Sequence, residues 1–356
     1  MNSEIYEKFK SRLTELGYCE YISSFNPLAN PMQLWAEYEY AAPENLRPVI
    51  DLLFLGRTVP LDGIDEQLRE CIPALSDEGI FSIDEGDVRT TGLTLQPMFG
   101  LWLFYQNPQV NPMMYYGEDS AALIMRQRPQ AGKTCLDICS GPGIQALYAA
   151  AHGEKVTSME INPFAAEIAK FNARFNNLSI DVRTGSLYNE VKGMRFDRIT
   201  ANPPLLPFAE SIAYPFVGHG GSDGIKITRE IIHGLPDALS ENGFAQIIGT
   251  GIRTGAQPSF AQEFENFGRE NGLDIMCTTV FTSDISRQSP VFNGLVLTAQ
   301  MATGLENEYI ADEYEKDLLR QGATHFIAFY LFIRRGKGGF YNMDMSKDNR
   351  TSFWYL

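Results

Sequence analysis

The feature of this sequence that most constrains its fold is an alternation of short strand-like and helix-like segments, which runs from residue 134 to residue 333. Chains with this alternation fold as a mostly parallel sheet with helices on both faces. Such a sheet binds its ligand at the carboxyl ends of its strands. We therefore predict an α/β fold with a seven-stranded sheet. The predicted strands are 134–138, 155–160, 180–184, 198–201, 244–250, 275–281 and 324–333, and the predicted helices include 143–151 and 163–176.

The first part of the chain follows a different pattern. Apolar residues recur at helical spacing within residues 1–40, and a short helix is predicted at 65–72. Two short strands around a turn at 84–87 follow. Helices followed by a hairpin predict a mostly helical, winged-helix-like accessory domain at 1–110. Two Asn-Pro pairs and a glycine then interrupt the pattern, so the second domain is predicted to cover 111–356.

The charge of the chain limits its partners. The sequence has 29 Lys and Arg against 44 Asp and Glu, a net charge of −15, and residues 1–110 contribute −10 of it, with 7 basic and 17 acidic residues. Nucleic-acid binding depends on basic residues that displace counterions from phosphates, so nucleic acid is disfavoured as a partner. We interpret the accessory domain as a dimerisation surface or a substrate lid, which makes a homodimer one expectation.

Cysteine content and hydropathy argue against further classes of protein. The five cysteines lack a Cys-x-x-Cys pair, so neither a disulfide scaffold nor a metal site is predicted. No basic N-terminal segment with an apolar stretch behind it, and no apolar run long enough for a membrane span, is visible. We expect a cytoplasmic protein without a membrane partner.

A glycine turn is the clearest candidate for a ligand site. Asp137 stands near the end of a predicted strand, and Gly141 and Gly143 open the next helix. Glycines permit a tight turn, and a helix N-terminus favours a bound carboxylate. Glu160, which ends the following strand, is placed to accept the hydroxyls of a ribose. Taken alone, this pattern also fits a nicotinamide or flavin dinucleotide.

A second motif limits the kinds of chemical group that the site would bind. Asn202-Pro203-Pro204 follows the strand at 198–201. The prolines fix the backbone and remove two N–H donors, so that carbonyl groups and the Asn202 amide are free to accept hydrogen bonds. These acceptors suit an amine or amide nitrogen that must present its lone pair to an electrophilic carbon.

Together the motifs resemble those of the class I S-adenosylmethionine-dependent methyltransferases, in particular the methyltransferase small domain group. That group includes release-factor glutamine methyltransferases and several RNA N-methyltransferases. The resemblance covers about residues 115–335 and implies a Rossmann-like methyltransferase sheet. It is carried by Asp137-Ile-Cys-Ser-Gly-Pro-Gly, Glu160-Ile-Asn-Pro, Asn202-Pro-Pro-Leu and Gly220-Gly-Ser-Asp-Gly.

The resemblance implies S-adenosyl-L-methionine as the cofactor and assigns roles around it. Asp137 would lie near the amino group of its methionine part, Glu160 would bind the ribose, and Ile161 would pack on the adenine. Family members commonly have an acidic residue at the adenine where this chain has Ser186. The expected cofactor-binding residues are Tyr116, Asp137, Ser140, Gly141, Gly143, Glu160, Ile161, Ser186, Leu187 and Asn202.

The resemblance also implies an acceptor site, from which this chain departs at one position. Leu205 stands where the family usually has Tyr or Phe, so stacking on a planar acceptor is lost there. Asn202 and Pro203 are expected to orient the acceptor, and His219 to accept a proton. The expected substrate-binding residues are Pro204, Leu205, Phe208, Tyr214 and Phe216.

The predicted function is S-adenosylmethionine-dependent methylation of a nitrogen, or another polar acceptor, of a small molecule such as an amino-acid- or peptide-derived metabolite. The acidic charge and Leu205 favour this substrate class. The alternatives are an RNA base and a protein glutamine. A nicotinamide oxidoreductase explains the glycine turn but not Asn202-Pro-Pro, and a non-catalytic binding module is the remaining alternative.

Overall fold

The computed structural model of the protein describes residues 2–24, 39–107, 109, 111–213, 217–347 and 353–354. Helices α1 (Asn2–Glu15) and α2 (Tyr18–Ser24) begin the chain, as the helical spacing predicts. Most of the predicted helical stretch after α2 lies outside the described residues.

The remainder of the N-terminal region contains the predicted hairpin within a small three-stranded antiparallel sheet, in the order β1-β3-β2. Glu85 and Gly86 form its turn with positive φ angles of 48° and 94°. The helix predicted at 65–72 is divided in two, because Pro73 in the first turn of α5 favours a new helix start. The elements are α3 (Arg47–Leu53), β1 (Val59–Pro60), α4 (Glu66–Arg69), α5 (Ile72–Asp77), β2 (Phe81–Asp84), β3 (Asp87–Thr90), β4 (Leu93–Met98) and β5 (Leu101–Gln106).

The central sheet contains all seven predicted strands. Its order is β14-β12-β13-β10-β9-β6-β7-β8, and β13 is antiparallel to both of its neighbours. In the described part of the chain the sheet has nine strands rather than seven, because β11 pairs with β10 and β14 adds to the edge at β12. The strands are β6 (Thr134–Ile138), β7 (Lys155–Glu160), β8 (Ile180–Thr184), β9 (Phe196–Ala201), β10 (Leu239–Thr254), β11 (Gln257–Pro258), β12 (Leu273–Asp284), β13 (His325–Arg335) and β14 (Gly339–Asp344).

Helices connect and cover these strands, as the alternation in the sequence predicts. A pair of helices, α11 and α12, is inserted between β12 and β13. No helix in the described residues is both long enough and apolar enough to cross a membrane. The helices are α6 (Glu118–Ile124), α7 (Ile144–Ala151), α8 (Pro163–Phe175), α9 (Lys226–Ala238), α10 (Ala261–Asn271), α11 (Pro290–Thr303) and α12 (Asn307–Gln321).

The N-terminal region shares one hydrophobic core with helices α7 and α8. The ring of Tyr6 in α1 lies 5.7 Å from the ring of Phe171 in α8, and Phe104 in β5 lies 5.5 Å from the same ring. Asn172 of α8 also pairs with the β5 backbone: its Oδ1 accepts from the Phe104 N–H at 2.9 Å, and its Nδ2 donates to the Phe104 carbonyl at 2.8 Å. Helix α8 thereby covers the edge of β5, whose backbone groups would otherwise lack hydrogen-bond partners.

Candidate active site

The sequence motifs converge on one edge of the sheet. Strands β6, β7, β8 and β9 are parallel neighbours, so their carboxyl ends lie side by side. Asp137 stands opposite Thr200 in the register of β6 and β9, and Glu160 stands opposite Thr184 in that of β7 and β8. This edge is where an open α/β sheet binds its ligand.

The glycine turn after β6 has the backbone geometry predicted for it. Gly141 and Gly143 have φ angles of 53° and 92°, and Gly143 is the N-cap of α7. A Cβ atom on Gly143 would lie 3.2 Å from the Cβ atom of Ala169, a contact tighter than side chains usually make. The turn is therefore held against α8, with the N-terminus of α7 at the site edge.

Glu160 is fixed by two backbone donors. Its Oε2 accepts from the Gly141 N–H at 2.8 Å, and its Oε1 accepts from the Asn162 N–H at 2.8 Å. Burial raises the pKa of the Glu160 carboxyl, and these hydrogen bonds partly oppose the rise. Each oxygen keeps acceptor capacity, so the carboxylate can receive two further donors from a diol.

Asp137 is a buried carboxylate with one satisfied oxygen. Its Oδ1 accepts from the Thr200 hydroxyl at 2.9 Å, whereas its buried Oδ2 has no hydrogen-bond partner among the described residues. Burial raises the pKa of the Asp137 carboxyl to about 7, and the Thr200 hydrogen bond partly opposes this effect. Within the same described residues, the buried hydroxyl of Ser140 also lacks a hydrogen-bond partner. Buried polar atoms are rarely left unpaired, so these two indicate a ligand with polar groups.

Asn202 is oriented by the start of helix α6. Its Nδ2 donates to the Asp119 carboxylate at 3.0 Å and to the Ser120 hydroxyl at 3.1 Å. Both N–H bonds are therefore used, and the buried Oδ1 of Asn202 has no hydrogen-bond partner in the described ranges of the chain. Sequence reasoning missed Asp119. The available signal was a Glu-Asp-Ser run that opens an otherwise apolar helix.

These residues fit S-adenosylmethionine. Unpaired oxygens at Asp137 and Ser140 offer acceptors for an ammonium group, the α7 N-terminus favours a carboxylate, and Glu160 suits a ribose. The predicted adenine residues lie on the next strand ends. Ile161 is 45% exposed, and Ser186 and Leu187 are half-buried after β8, where the Gly185 N–H donates to the Glu160 carbonyl at 2.9 Å.

Two residues predicted to contact ligands, Tyr116 and Phe208, have rings that pack against other aromatic rings of the protein. Tyr116 is 4% exposed, and its ring packs 5.0 Å from that of Tyr105. Phe208 is 0% exposed, and its ring packs 5.5 Å from that of Tyr314 in α12. Tyr115, rather than its neighbour, borders the glycine turn, since its carbonyl oxygen lies 3.5 Å from where a Cβ on Gly141 would stand.

The loop after β9 forms the other wall of the site. Pro204 is half-buried, whereas Leu205 is only 7% exposed and belongs to a hydrophobic cluster with Tyr330 and Trp354. Most of the Leu205 side chain is therefore engaged in packing, which limits the predicted substrate contact to its small exposed part. Tyr214 and Phe216, also predicted to bind substrate, lie outside the described residues.

His219 has a hydrogen bond that restricts its predicted role. Its Nδ1 accepts from the Gly221 N–H at 3.1 Å, so this nitrogen does not accept a proton from a substrate while the bond holds. The Gly-Gly-Ser-Asp-Gly segment after it packs on the loop of Leu205. A Cβ on Gly224 would lie 2.8 Å from the Thr250 carbonyl oxygen and 3.0 Å from that of Leu205. The glycine is required by this close approach of backbones.

Comparison with known proteins gives the family. The model of the family "Methyltransferase small domain" matches residues 115–270. A putative protein N5-glutamine methyltransferase of Methanocaldococcus jannaschii is 34% identical over 146 residues, which cover 39% of this chain and 74% of that protein.

Two further relatives are matched over about half of their length. A ribosomal protein uL3 glutamine methyltransferase of Bradyrhizobium diazoefficiens is 28% identical over 41% of this chain and 52% of its own length. A tRNA1(Val) (adenine(37)-N6)-methyltransferase of Porphyromonas gingivalis is 33% identical over 35% of this chain and 47% of its own length.

The matched region begins at Tyr115 and includes the glycine turn, Glu160 and Asn202, which are the residues that the fold brings to one edge of the sheet. The cofactor of this protein is S-adenosylmethionine, and the expectation of a methyltransferase rather than an oxidoreductase is confirmed. This chain belongs to the class I S-adenosylmethionine-dependent methyltransferases of the methyltransferase small domain family.

Proposed function

We propose that this protein methylates the side-chain amide nitrogen of a glutamine residue in a protein. The observation that carries the proposal is the geometry of Asn202. Its two N–H bonds are both engaged, while its buried Oδ1, at the edge of the sheet, has no hydrogen-bond partner among the residues that the structure describes. An unpaired amide oxygen there is an acceptor for the N–H bond of a planar nitrogen.

The residues around Asn202 suit a weak nucleophile. An amide nitrogen becomes a nucleophile only if its N–H bonds are polarised and its lone pair is held towards the electrophile. The Asn202 Oδ1 and the carbonyl of buried Pro203 are the acceptors available for this task. S-adenosylmethionine supplies an electrophilic methyl group on a good leaving group, so the chain's own contribution is alignment and exclusion of water.

The relatives favour a macromolecular substrate over the small molecule that the sequence led us to expect. Two of the three relatives above are named for methylation of glutamine, the third for methylation of a tRNA adenine, and none for a small molecule. The net charge of −15 opposes binding of a polyanion but is compatible with a protein substrate.

A tRNA adenine is the second candidate, supported by the relative from Porphyromonas gingivalis. An exocyclic amino group on a base would meet the same acceptors as an amide. A base also has a large planar face, which favours an aromatic stacking partner. Position 205 provides a buried leucine instead of a ring, so the stacking partner that a base favours is absent at that position.

The proposal is tested by methyl transfer from radiolabelled S-adenosylmethionine to a cell extract divided into RNase-treated and protease-treated portions. We expect the label to survive RNase, to be lost from the macromolecular fraction after protease, and to be released as methylamine on acid hydrolysis, because hydrolysis of an N-methylated glutamine gives glutamate and methylamine. Peptide mass spectrometry then identifies the modified residue.

The matched control is Asn202→Ala, which removes the unpaired oxygen without changing the predicted cofactor residues at β6 and β7. Label that is sensitive to RNase and resistant to protease would replace the proposal with the tRNA candidate. Label confined to the low-molecular-weight fraction would restore the small-molecule expectation.

A further inference from the structure

A carboxylate outside the recognised motifs touches Asn202. Asp119 lies in the first turn of α6 and is 5% exposed, and its Oδ2 accepts from the Asn202 Nδ2 at 3.0 Å. Its buried Oδ1 has no well-formed hydrogen bond within the described part of the chain, and the Tyr115 side chain lies near the carboxylate. Ionised side chains are seldom buried to this extent without a structural or functional reason.

The hydrogen bonds decide which way the Asn202 amide faces. An amide group rotated by 180° would present its oxygen to the Asp119 carboxylate and to the Ser120 oxygen, and the oxygen–carboxylate contact would be repulsive. With Asp119 ionised, only the orientation that turns Oδ1 away from α6 is favourable. The charge also strengthens the Nδ2–H bond, since charge-assisted hydrogen bonds are about twice as strong as neutral ones.

The geometry points to Asp119 as the positioning residue that fixes the Asn202 amide with its oxygen towards the methyl acceptor. This inference deepens the proposed function and rests on it for the identity of the acceptor. A carboxylate whose hydrogen bond pulls on the amide N–H also increases the negative charge on the amide oxygen, which makes that oxygen a better acceptor for a substrate N–H.

The burial of the Asp119 carboxylate lowers the stability of the folded protein, which is acceptable for a group that acts in the active site. Burial raises the pKa of its carboxyl, and the hydrogen bond from Asn202 partly opposes that rise. An unpaired buried oxygen lowers stability. Active-site groups often carry such a cost, because the group is placed for the reacting complex rather than for the free protein.

The test compares Asp119→Ala and Asp119→Asn with Glu118→Gln, which removes the adjacent carboxylate on the same helical turn. We expect Asp119→Ala to lower kcat on the methylated protein by about 100-fold and Asp119→Asn by about tenfold, since the isosteric amide keeps an acceptor without the charge. Glu118→Gln should keep kcat within about twofold, and all three variants should keep the Kd for S-adenosylmethionine within about threefold.

A second measurement needs no acceptor. In protein labelled with ¹⁵N at asparagine, the two side-chain N–H signals of Asn202 should exchange slowly with water in the parent and in Glu118→Gln. In Asp119→Ala they should exchange rapidly. If no protein glutamine is methylated while this result holds, the proposed function fails and the positioning by Asp119 stands.

The inference is overturned if Asp119→Ala keeps kcat within about threefold, if the Asn202 signals do not change, or if loss of activity follows loss of cofactor affinity. Should Asp119→Ala fail to fold, Asp119→Asn decides alone. Parental kcat in that variant would overturn the inference, and a tenfold loss with an unchanged Kd would support it.

Discussion

The two halves of the site are built in different ways. The cofactor half, formed by Asp137, Gly141 and Glu160, lies on the ends of adjacent parallel strands. Its segments are joined by the hydrogen bond from Gly141 to Glu160 across 19 positions and by that from Thr200 to Asp137 across 63 positions. The acceptor half, formed by Asn202 and Leu205, depends on distant segments. Asn202 is oriented by Asp119, 83 positions away, and Leu205 shares its cluster with Trp354.

The difference follows from what each half must recognise. A cofactor common to a family can be held by a turn and a carboxylate whose geometry short motifs specify. An acceptor is particular to each enzyme, and here Asn202 is bonded to α6 while Leu205 packs with Trp354 near the end of the chain. The halves should therefore respond separately to substitution.

The largest effect is expected from Asn202→Ala, which tests whether the acceptor half can be disrupted without a loss of cofactor affinity. Loss of a preorganised polar group at a reacting atom typically costs about 10²–10³ in kcat. We expect a loss near the upper end, with the Kd for S-adenosylmethionine within about threefold of the parent. Calorimetric titration and methyl-transfer kinetics measure the two quantities. A large loss of cofactor affinity in this variant would show that the halves are not separable.

Glu160→Ala is expected to have the opposite effect and to lower the affinity for the cofactor. The variant removes the acceptors for a ribose and leaves the Gly141 and Asn162 N–H groups without their partner. Each charge-assisted hydrogen bond contributes about 1.5–3 kcal/mol, so the affinity for S-adenosylmethionine should fall by about 100-fold. Glu160→Gln, which keeps one acceptor, should lose less. Equal affinities of Glu160→Ala and the parent would remove Glu160 from the cofactor site.

The same difference explains what the sequence could and could not predict. Strands β6, β7 and β8 begin and end at the predicted residues, and the turn at Gly141 has the expected backbone, because apolar runs and glycine turns are local signals. Glu160 could be assigned because its position at a strand end follows from the strand itself.

The acceptor half could not be predicted in this way. Phe208 was expected to line the pocket, but Tyr314 from the α12 insertion packs on its ring and removes it from the surface. Asp119 was missed because its partner lies 83 positions along the chain. Strand β14 falls outside the seven-strand expectation, since its pairing with β12 depends on a sheet edge that the local sequence does not reveal.

A third prediction challenges the local character of the cofactor half. Asn172 Nδ2 donates to the Pro142 carbonyl in the glycine turn at 2.9 Å as well as to Phe104, so the turn is tied to the N-terminal region. Asn172→Ala leaves several buried polar groups unpaired, at about 1–3 kcal/mol each. We expect a loss of about 3 kcal/mol in the free energy of unfolding and about a tenfold loss of cofactor affinity.

Asn176→Ala is the matched control for this prediction. Asn176 pairs with the Trp102 backbone at 2.8 and 2.7 Å, in the same manner as Asn172 pairs with Phe104. Among the described residues, its side chain makes no hydrogen bond to the glycine turn. Denaturant unfolding should show a smaller loss of stability, and the cofactor affinity should be unchanged. If both variants bind the cofactor as the parent does, the glycine turn is independent of the N-terminal region. The cofactor half would then depend on distant segments even less than its hydrogen bonds indicate.

The smallest effect is a pH dependence that belongs to the cofactor half alone. Because burial raises the pKa of Asp137 to about 7, its carboxyl gains charge as the pH rises from 6.5 to 7.5. The ionised fraction of such a group increases about threefold over that interval, so the affinity for the ammonium group of S-adenosylmethionine should increase by a similar factor.

The stability of the free protein should change in the opposite direction. The folded pKa of Asp137 lies above the unfolded value of 3.8, so the folded state binds more protons between these values, and ionisation on raising the pH lowers the free energy of unfolding. Asp137→Asn should abolish both trends while keeping the Thr200 contact. Cofactor affinity that is flat with pH in the parent, or equally steep in Asp137→Asn, would assign the titration to another group. An unchanged kcat at saturating cofactor across the same interval would place the dependence in the cofactor half and leave the acceptor half unaffected.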